Sequence, residues 1–302
     1  MDDKAPRRTW QKTLTVVRWV LWFVVLGIVI QPTWTSRKME TARTTALEQL
    51  QRERKSRVIA MIHREDTVSV LGIPVSRYIT MQDSEAVLRA IRLTPSEEPI
   101  DLILHTPGGM ELAAEQIARA LADRKSPVTV IVPHYAMSGG TLIALAADKI
   151  VMDPNAVLGP VDPQIGGMPA ASILRAVATK PRAHVSDQTL ILADIAAKAQ
   201  AQMAALLTEI LQKHFPKERA AALALLLSDG RWTHDFPITV QAAQKLGLVV
   251  STDVPNLVYE LMALYPQGRT SRPSVLYVPF QPAPQEGPSR RPSGMVPDEK
   301  RQ

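Results

Sequence analysis

Two glycine-bearing loops hold the residue types that acyl-transfer chemistry needs. The first, His105-Thr106-Pro107-Gly108-Gly109, follows an apolar run at 100–105 and precedes a helix-like segment at 110–122. The second, Tyr135-Ala136-Met137-Ser138-Gly139-Gly140-Thr141, follows the run at 127–132 and opens an apolar segment at 138–147. Adjacent glycines at a strand-to-helix turn let the backbone approach a ligand and aim N–H groups at it. A serine at the positive end of a helix dipole is favoured as a nucleophile, and the N–H of Gly139 can meet an oxyanion. Ser138 also has a simpler use, as the N-cap of the helix it precedes. Spacing favours the chemical use. Gly109 precedes Ser138 by 29 positions, room for one helix, one strand and two tight turns. In a parallel sheet both loops then reach the carboxyl ends of adjacent strands, where α/β sites form.

A serine needs a base. His63, His105 and His134 end or follow apolar runs, and the last two stand next to the two loops. Their ordinary use is to hydrogen-bond backbone and shape those loops, since histidine serves both as switch and as structural donor. His234-Asp235 is a further source of a base or of its orienting group. The chain has no cysteine, which excludes disulfides, thiolate metal sites and a cysteine nucleophile. No His, Asp or Glu set has metal-ligand spacing, so neither a metal nor a cofactor is expected.

Three segments carry a family resemblance: Thr-Pro-Gly-Gly at 106–109, the long stretch AMSGGTLIALAADKIVMDPNAVLGPVDPQ from Ala136, and GRWTHDFPIT with the following LGL. They resemble the serine dehydrogenase proteinase family, relatives of the signal-peptide peptidase SppA and of ClpP, over roughly residues 40–280. The resemblance implies an α/β, ClpP/crotonase-like fold with repeated β-β-α units. It also implies a peptidase with Ser138 as nucleophile, and oxyanion N–H groups from Gly109 and Gly139. A ClpP-like triad would place its histidine near Gly159-Pro160-Val161-Asp162-Pro163, which has none, and its acid at Asp235. An SppA-like dyad would instead use a lysine downstream of the serine, for which Lys198 is the first choice and Lys180 the second. A lysine works there only if desolvation lowers its pKa, and Lys198 has Asp194 one helical turn away as an ordinary partner. Asp162 and Asp235 remain alternatives. The competing reading is a crotonase-fold protein without a working base, an acyl-transfer or scaffold protein.

The surrounding sequence must position these groups. Short β-branched runs at 57–62, 100–105 and 127–132 read as strands, and alternation with helical segments argues a parallel or mixed sheet. Ser186 should cap a long helix, followed by helices near 216–228, 239–246 and 254–264. Residues 57–268 form the catalytic domain in this reading, and the proline-rich stretch at 269–302 a mostly disordered tail. Residues 37–56 form a polar linker helix that carries the chain away from a membrane. Residues 1–36 hold the anchor: an apolar core from Trp19 to Ile30, with Arg18 before it, Trp19, Trp22 and Trp34 as interface residues, and no small-residue cleavage site after it. Basic residues flank it on both sides, so charge asymmetry assigns no orientation. The net charge of +6 sits largely beside this segment, which points to a membrane surface and not to nucleic acid. The expected protein is a single-pass membrane peptidase acting on a polypeptide substrate as a homo-oligomer.

Overall fold

Strict alternation of side chains along four short apolar runs builds the centre of the molecule. The computed structural model describes residues 18, 19, 22, 37–63, 68–70, 73–75 and 78–265. In chain order it has helix α1 (residues 37–54), strands β1 (Arg57–Ile62), β2 (Val68–Val70) and β3 (Ile73–Val75), then α2 (Met81–Arg92). Next come β4 (Ile100–His105), α3 (Glu111–Ala122), β5 (Val128–Val132), β6 (Tyr135–Ala136) and α4 (Gly139–Leu145). β7 (Lys149–Met152), β8 (Val157–Leu158), β9 (Gln164–Ile165), β10 (Met168–Pro169) and α5 (Ala170–Thr179) follow. The remainder is α6 (Asp187–Leu211), α7 (Lys217–Ser228), β11 (Ile238–Thr239), α8 (Val240–Lys245), β12 (Val250–Ser251) and α9 (Asn256–Ala263).

Five strands make one parallel sheet in the order β1-β4-β5-β7-β12. Its period of two sorts each strand between two cores. Ile59, Met61, Ile100, Leu102, Leu104, Val128, Val130, Val132, Ile150 and Met152 face the larger one, with α2, α3, α4 and the far half of α6. Val58, Ile103, Ile131 and Val151 point the other way, onto α1 and α9. Burial on both faces is why these runs read as continuous hydrophobic segments. The strands and helices expected from the sequence are present to within about two residues, the usual scatter of element ends.

The linker helix has a different role from the one expected of it. Ala46, Leu47 and Leu50 form an apolar stripe within its polar sequence, and Leu50 is 1% exposed against the sheet. Arg43 donates to the Leu264 carbonyl at 2.7 Å and lies 4.2 Å over the Tyr265 ring. α1 is therefore part of the globular unit. Of the expected anchor, Arg18, Trp19 and Trp22 are described, helical and exposed; the rest of it and the proline-rich tail lie outside the described residues.

α6 begins as the sequence predicts, with the Ser186 hydroxyl accepting the Thr189 N–H. Among the described residues it is the helix long and apolar enough to cross a membrane. Its far half instead buries Met203, Leu206, Leu207, Ile210 and Leu211 in the main core. The near half packs with α5 in a small separate cluster of Ala170, Ile173, Ala193 and Ala196, and exposes Ile191 and Ile195.

Candidate active site

A second, smaller sheet brings the candidate site residues together. Its order is β11-β8-β6, with β6 parallel to β8 and β11 antiparallel to β8. The carboxyl ends of β6 and β8 and the amino end of β11 therefore share one edge. Ser138 lies two residues after β6, Asp162 four after β8, and His234 four before β11. All three line a cavity of about 350 Å³ together with Tyr78, Gly109, Glu111, Gly139, Gln164 and Met203.

Ser138 occupies the N-cap position of α4, yet its side chain makes no capping bond. Its backbone lies at φ 52°, ψ −119°, a conformation that costs a residue with a Cβ about 1–3 kcal/mol. The turn thus turns the hydroxyl away from its helix and toward the cavity that Ser138 lines. The first glycine loop lies directly over it. A Cβ on Gly108, at φ 107°, would meet Ser138 Cβ at 2.8 Å and Oγ at 3.3 Å. One on Gly109 would fall 2.3 Å from the Ile79 nitrogen, so only glycine fits. Ile79 holds this loop as a strand would, donating to the Gly108 carbonyl at 2.7 Å and accepting the Met110 N–H at 2.8 Å. These bonds leave the intervening N–H of Gly109 uncommitted, and the Gly109 nitrogen is 3.9 Å from where a Gly139 Cβ would stand.

Asp162 is buried at 3% exposure and both its oxygens are engaged. Oδ1 is 2.7 Å from His234 Nδ1, and Oδ2 accepts the Gln164 amide at 2.7 Å. The carboxylate fixes the imidazole proton on Nδ1, leaving Nε2 as the acceptor. His234 is one-third exposed at the cavity wall. A serine, an imidazole with a free Nε2 and an orienting carboxylate in one cavity are the parts of a Ser-His-Asp system, here in chain order Ser, Asp, His.

The lysines are elsewhere. Lys198 is 68% exposed and paired with Asp194 at 2.5 Å, the ordinary i,i+4 contact. Lys180 is an exposed residue at the end of α5. Asp235 is exposed too, and none of the three lines the cavity. His105 is fully buried against the Tyr135 ring, centroids 4.3 Å apart, and His134 packs on the same ring, so both shape the loops. Sequence reasoning named His234 and Asp162 separately and missed them as a pair. The available signal was an aspartate where a histidine was sought, matched by a histidine beside the position where an acid was sought.

Glu111 also lines the cavity, and burial, reinforced by Glu115, pushes its carboxyl above the ordinary value. Among the described residues no group of three or more metal-ligating side chains occurs.

A model of the ClpP-like SDH-type serine proteinases matches residues 9–290. The chain belongs to that family. Two uncharacterized proteins of Methanocaldococcus jannaschii are similar to it in sequence. One is 54% identical over 252 residues, 83% of this chain and 86% of the relative. The other is 51% identical over 267 residues, 88% and 93% of the two chains. The probable protease SohB of Haemophilus influenzae is 37% identical over 81 residues, 26% of this chain and 23% of that protein. Among solved structures, ClpP1 from Listeria monocytogenes aligns with 69% of the SDH-type chain and 99% of its own, at 16% identity and TM-score 0.43. A mutant of the 1510-N membrane-bound stomatin-specific protease aligns over 62% and 79%, at 23% identity and TM-score 0.41.

Proposed function

We propose that this chain is a membrane-anchored serine endopeptidase that cleaves polypeptides with Ser138, His234 and Asp162. The observation that carries the proposal is the 2.7 Å bond between His234 and buried Asp162, at the wall of the cavity that Ser138 also lines. His234 Nε2 takes the Ser138 proton as Oγ attacks the scissile carbonyl. The imidazolium that forms is stabilised by Asp162 through Nδ1–H. The N–H groups of Gly109 and Gly139 receive the charge that develops on the carbonyl oxygen, and such donors are worth about 10²–10³ in rate each. His234 then returns the proton to the leaving amine, and a water repeats the sequence on the acyl-enzyme. The strain at Ser138 supports the same reading, because a capping serine needs none. The working enzyme is a homo-oligomer held at the membrane by residues 1–36, and uses no metal or cofactor.

A fluorophosphonate probe tests the nucleophile. The wild-type protein should label and Ser138→Ala should not, with matching far-UV spectra. Equal labelling of the two removes Ser138 from the role, and a wild-type protein that never labels leaves the crotonase-fold, non-peptidase reading.

A further inference from the structure

The glycine loop over Ser138 is gripped by a closed ring of contacts behind the cavity. The Gly108 N–H donates to Thr106 Oγ1 at 3.2 Å. Thr106 Oγ1 lies 2.9 Å from His63 Nδ1, and His63 Nε2 lies 3.5 Å from Asp83 Oδ2. Asp83 Oδ2 in turn accepts from the Thr80 N–H at 2.8 Å and the Thr80 hydroxyl at 2.7 Å. Thr80 follows Ile79, whose N–H holds the Gly108 carbonyl. Thr106 is fully buried and His63 is 6% exposed, so water does not compete for the bond between them, whereas Asp83 and Thr80 close the ring at the surface.

With the Asp83 carboxylate facing Nε2, an imidazole that carries its proton there offers Nδ1 as acceptor to the Thr106 O–H. Burial works against the Asp83 carboxylate, but the Thr80 groups and His63 outweigh it and hold its carboxyl below the ordinary value. Thr106 has another carbonyl in reach, Gly108 O at 3.4 Å. A hydroxyl turned that way would present its lone pairs less well to the Gly108 N–H. His63 removes this choice by accepting the hydroxyl's hydrogen bond.

We propose that His63 is a positioning residue for the oxyanion loop: through Thr106 it holds the Gly108 N–H, and with Ile79 on the Gly108 carbonyl this fixes the two successive peptide planes that aim the N–H of Gly109. Thr106 also joins the loop to the nucleophile. Its backbone exchanges bonds with Tyr135 and Met137 at 3.1 and 3.0 Å, and its Cγ2 sits 2.6 Å from where a Gly140 Cβ would stand. Asp83 and His63 thus hold both halves of the site in one register. The inference rests on the Ser138 reading above.

The test is inactivation of the full-length protein by a fluorophosphonate over a concentration series, which separates the maximal rate, kinact, from the binding constant, KI. His63→Leu should lower kinact about 10- to 100-fold, the scale of a misaimed donor, and leave KI within about twofold. His63→Asn, which keeps a polar group toward Thr106, should recover most of the loss. Thr106→Val should resemble His63→Leu, and Thr106→Ser should resemble wild type. Assays run well below each variant's melting point; if His63→Leu does not fold, Thr106→Val against Thr106→Ser decides. His63→Leu or Thr106→Val reacting at the wild-type kinact, or losing only affinity, overturns the inference while the nucleophile stands. A wild-type protein no more reactive than Ser138→Ala overturns both.

Discussion

At Ser138 the backbone is held in a conformation that glycine adopts without cost. Replacing it should therefore separate stability from activity. Ser138→Gly removes about 1–3 kcal/mol of strain and adds about 0.5–1 kcal/mol of unfolded-state entropy, a net gain near 1 kcal/mol. Thermal unfolding should show a higher Tm in a protein that no longer labels; a lower Tm would mean that the serine is not strained. The base assignment is tested by a wider set. His234→Ala and Asp162→Asn should each lose about 10³–10⁴ in kcat, the latter by freeing the imidazole to take the wrong tautomer. Lys198→Ala, Lys180→Ala and Asp235→Asn should stay within about threefold of wild type. A dead lysine variant beside an active His234→Ala would return the lysine dyad. The residues of the two glycine loops were legible because helix-opening turns impose local spacing. The partner pair was not legible, because His234 and Asp162 are 72 positions apart and meet only through folding.

At the scale of elements, the same contrast has a physical basis. β1, β4 and β5 are five or six residues long and buried on both faces, so composition alone marks them. β6, β8 and β11 are two residues each, too short for any periodic pattern, yet their shared edge assembles the site. The stripe Ala46, Leu47 and Leu50 was readable in principle, but three apolar residues in a charged helix are outvoted by composition. α9 closes the second core and is latched to the sheet by Tyr259, whose hydroxyl donates to Asp153 Oδ2 at 2.6 Å. Burial, together with the Asp153 carboxylate, pushes the Tyr259 phenol up to about 12. A raised phenol pKa favours the protonated, folded form, so this contact stabilises fully below the unfolded value of 10 and is lost as pH rises through about 12. Denaturant titrations should show a stability loss over that window that Tyr259→Phe lacks. The variant itself should lose less than about 1 kcal/mol at neutral pH, since the contact is partly exposed.

For the whole molecule, the decisive question is where the proposed membrane segment stops and the globular unit starts. The apolar core at 19–30, which contains Trp19 and Trp22, has the composition of an anchor. α1 does not continue that role, because its apolar stripe covers Val58, Ile103, Ile131 and Val151 on the sheet. The two segments should therefore separate in a truncation series. The full chain should sediment with membranes and resist carbonate extraction. A chain beginning at Arg37 should be soluble, should melt like the full-length protein and should label at Ser138. One beginning at Arg57 should aggregate or lose several kcal/mol, since it uncovers Leu50's side of the second core; burying a single leucine contributes about 1.5–3 kcal/mol. Recovery of the full chain from the soluble fraction would end the anchor assignment. A stable, labelling protein from Arg57 onward would return α1 to the role of a spacer.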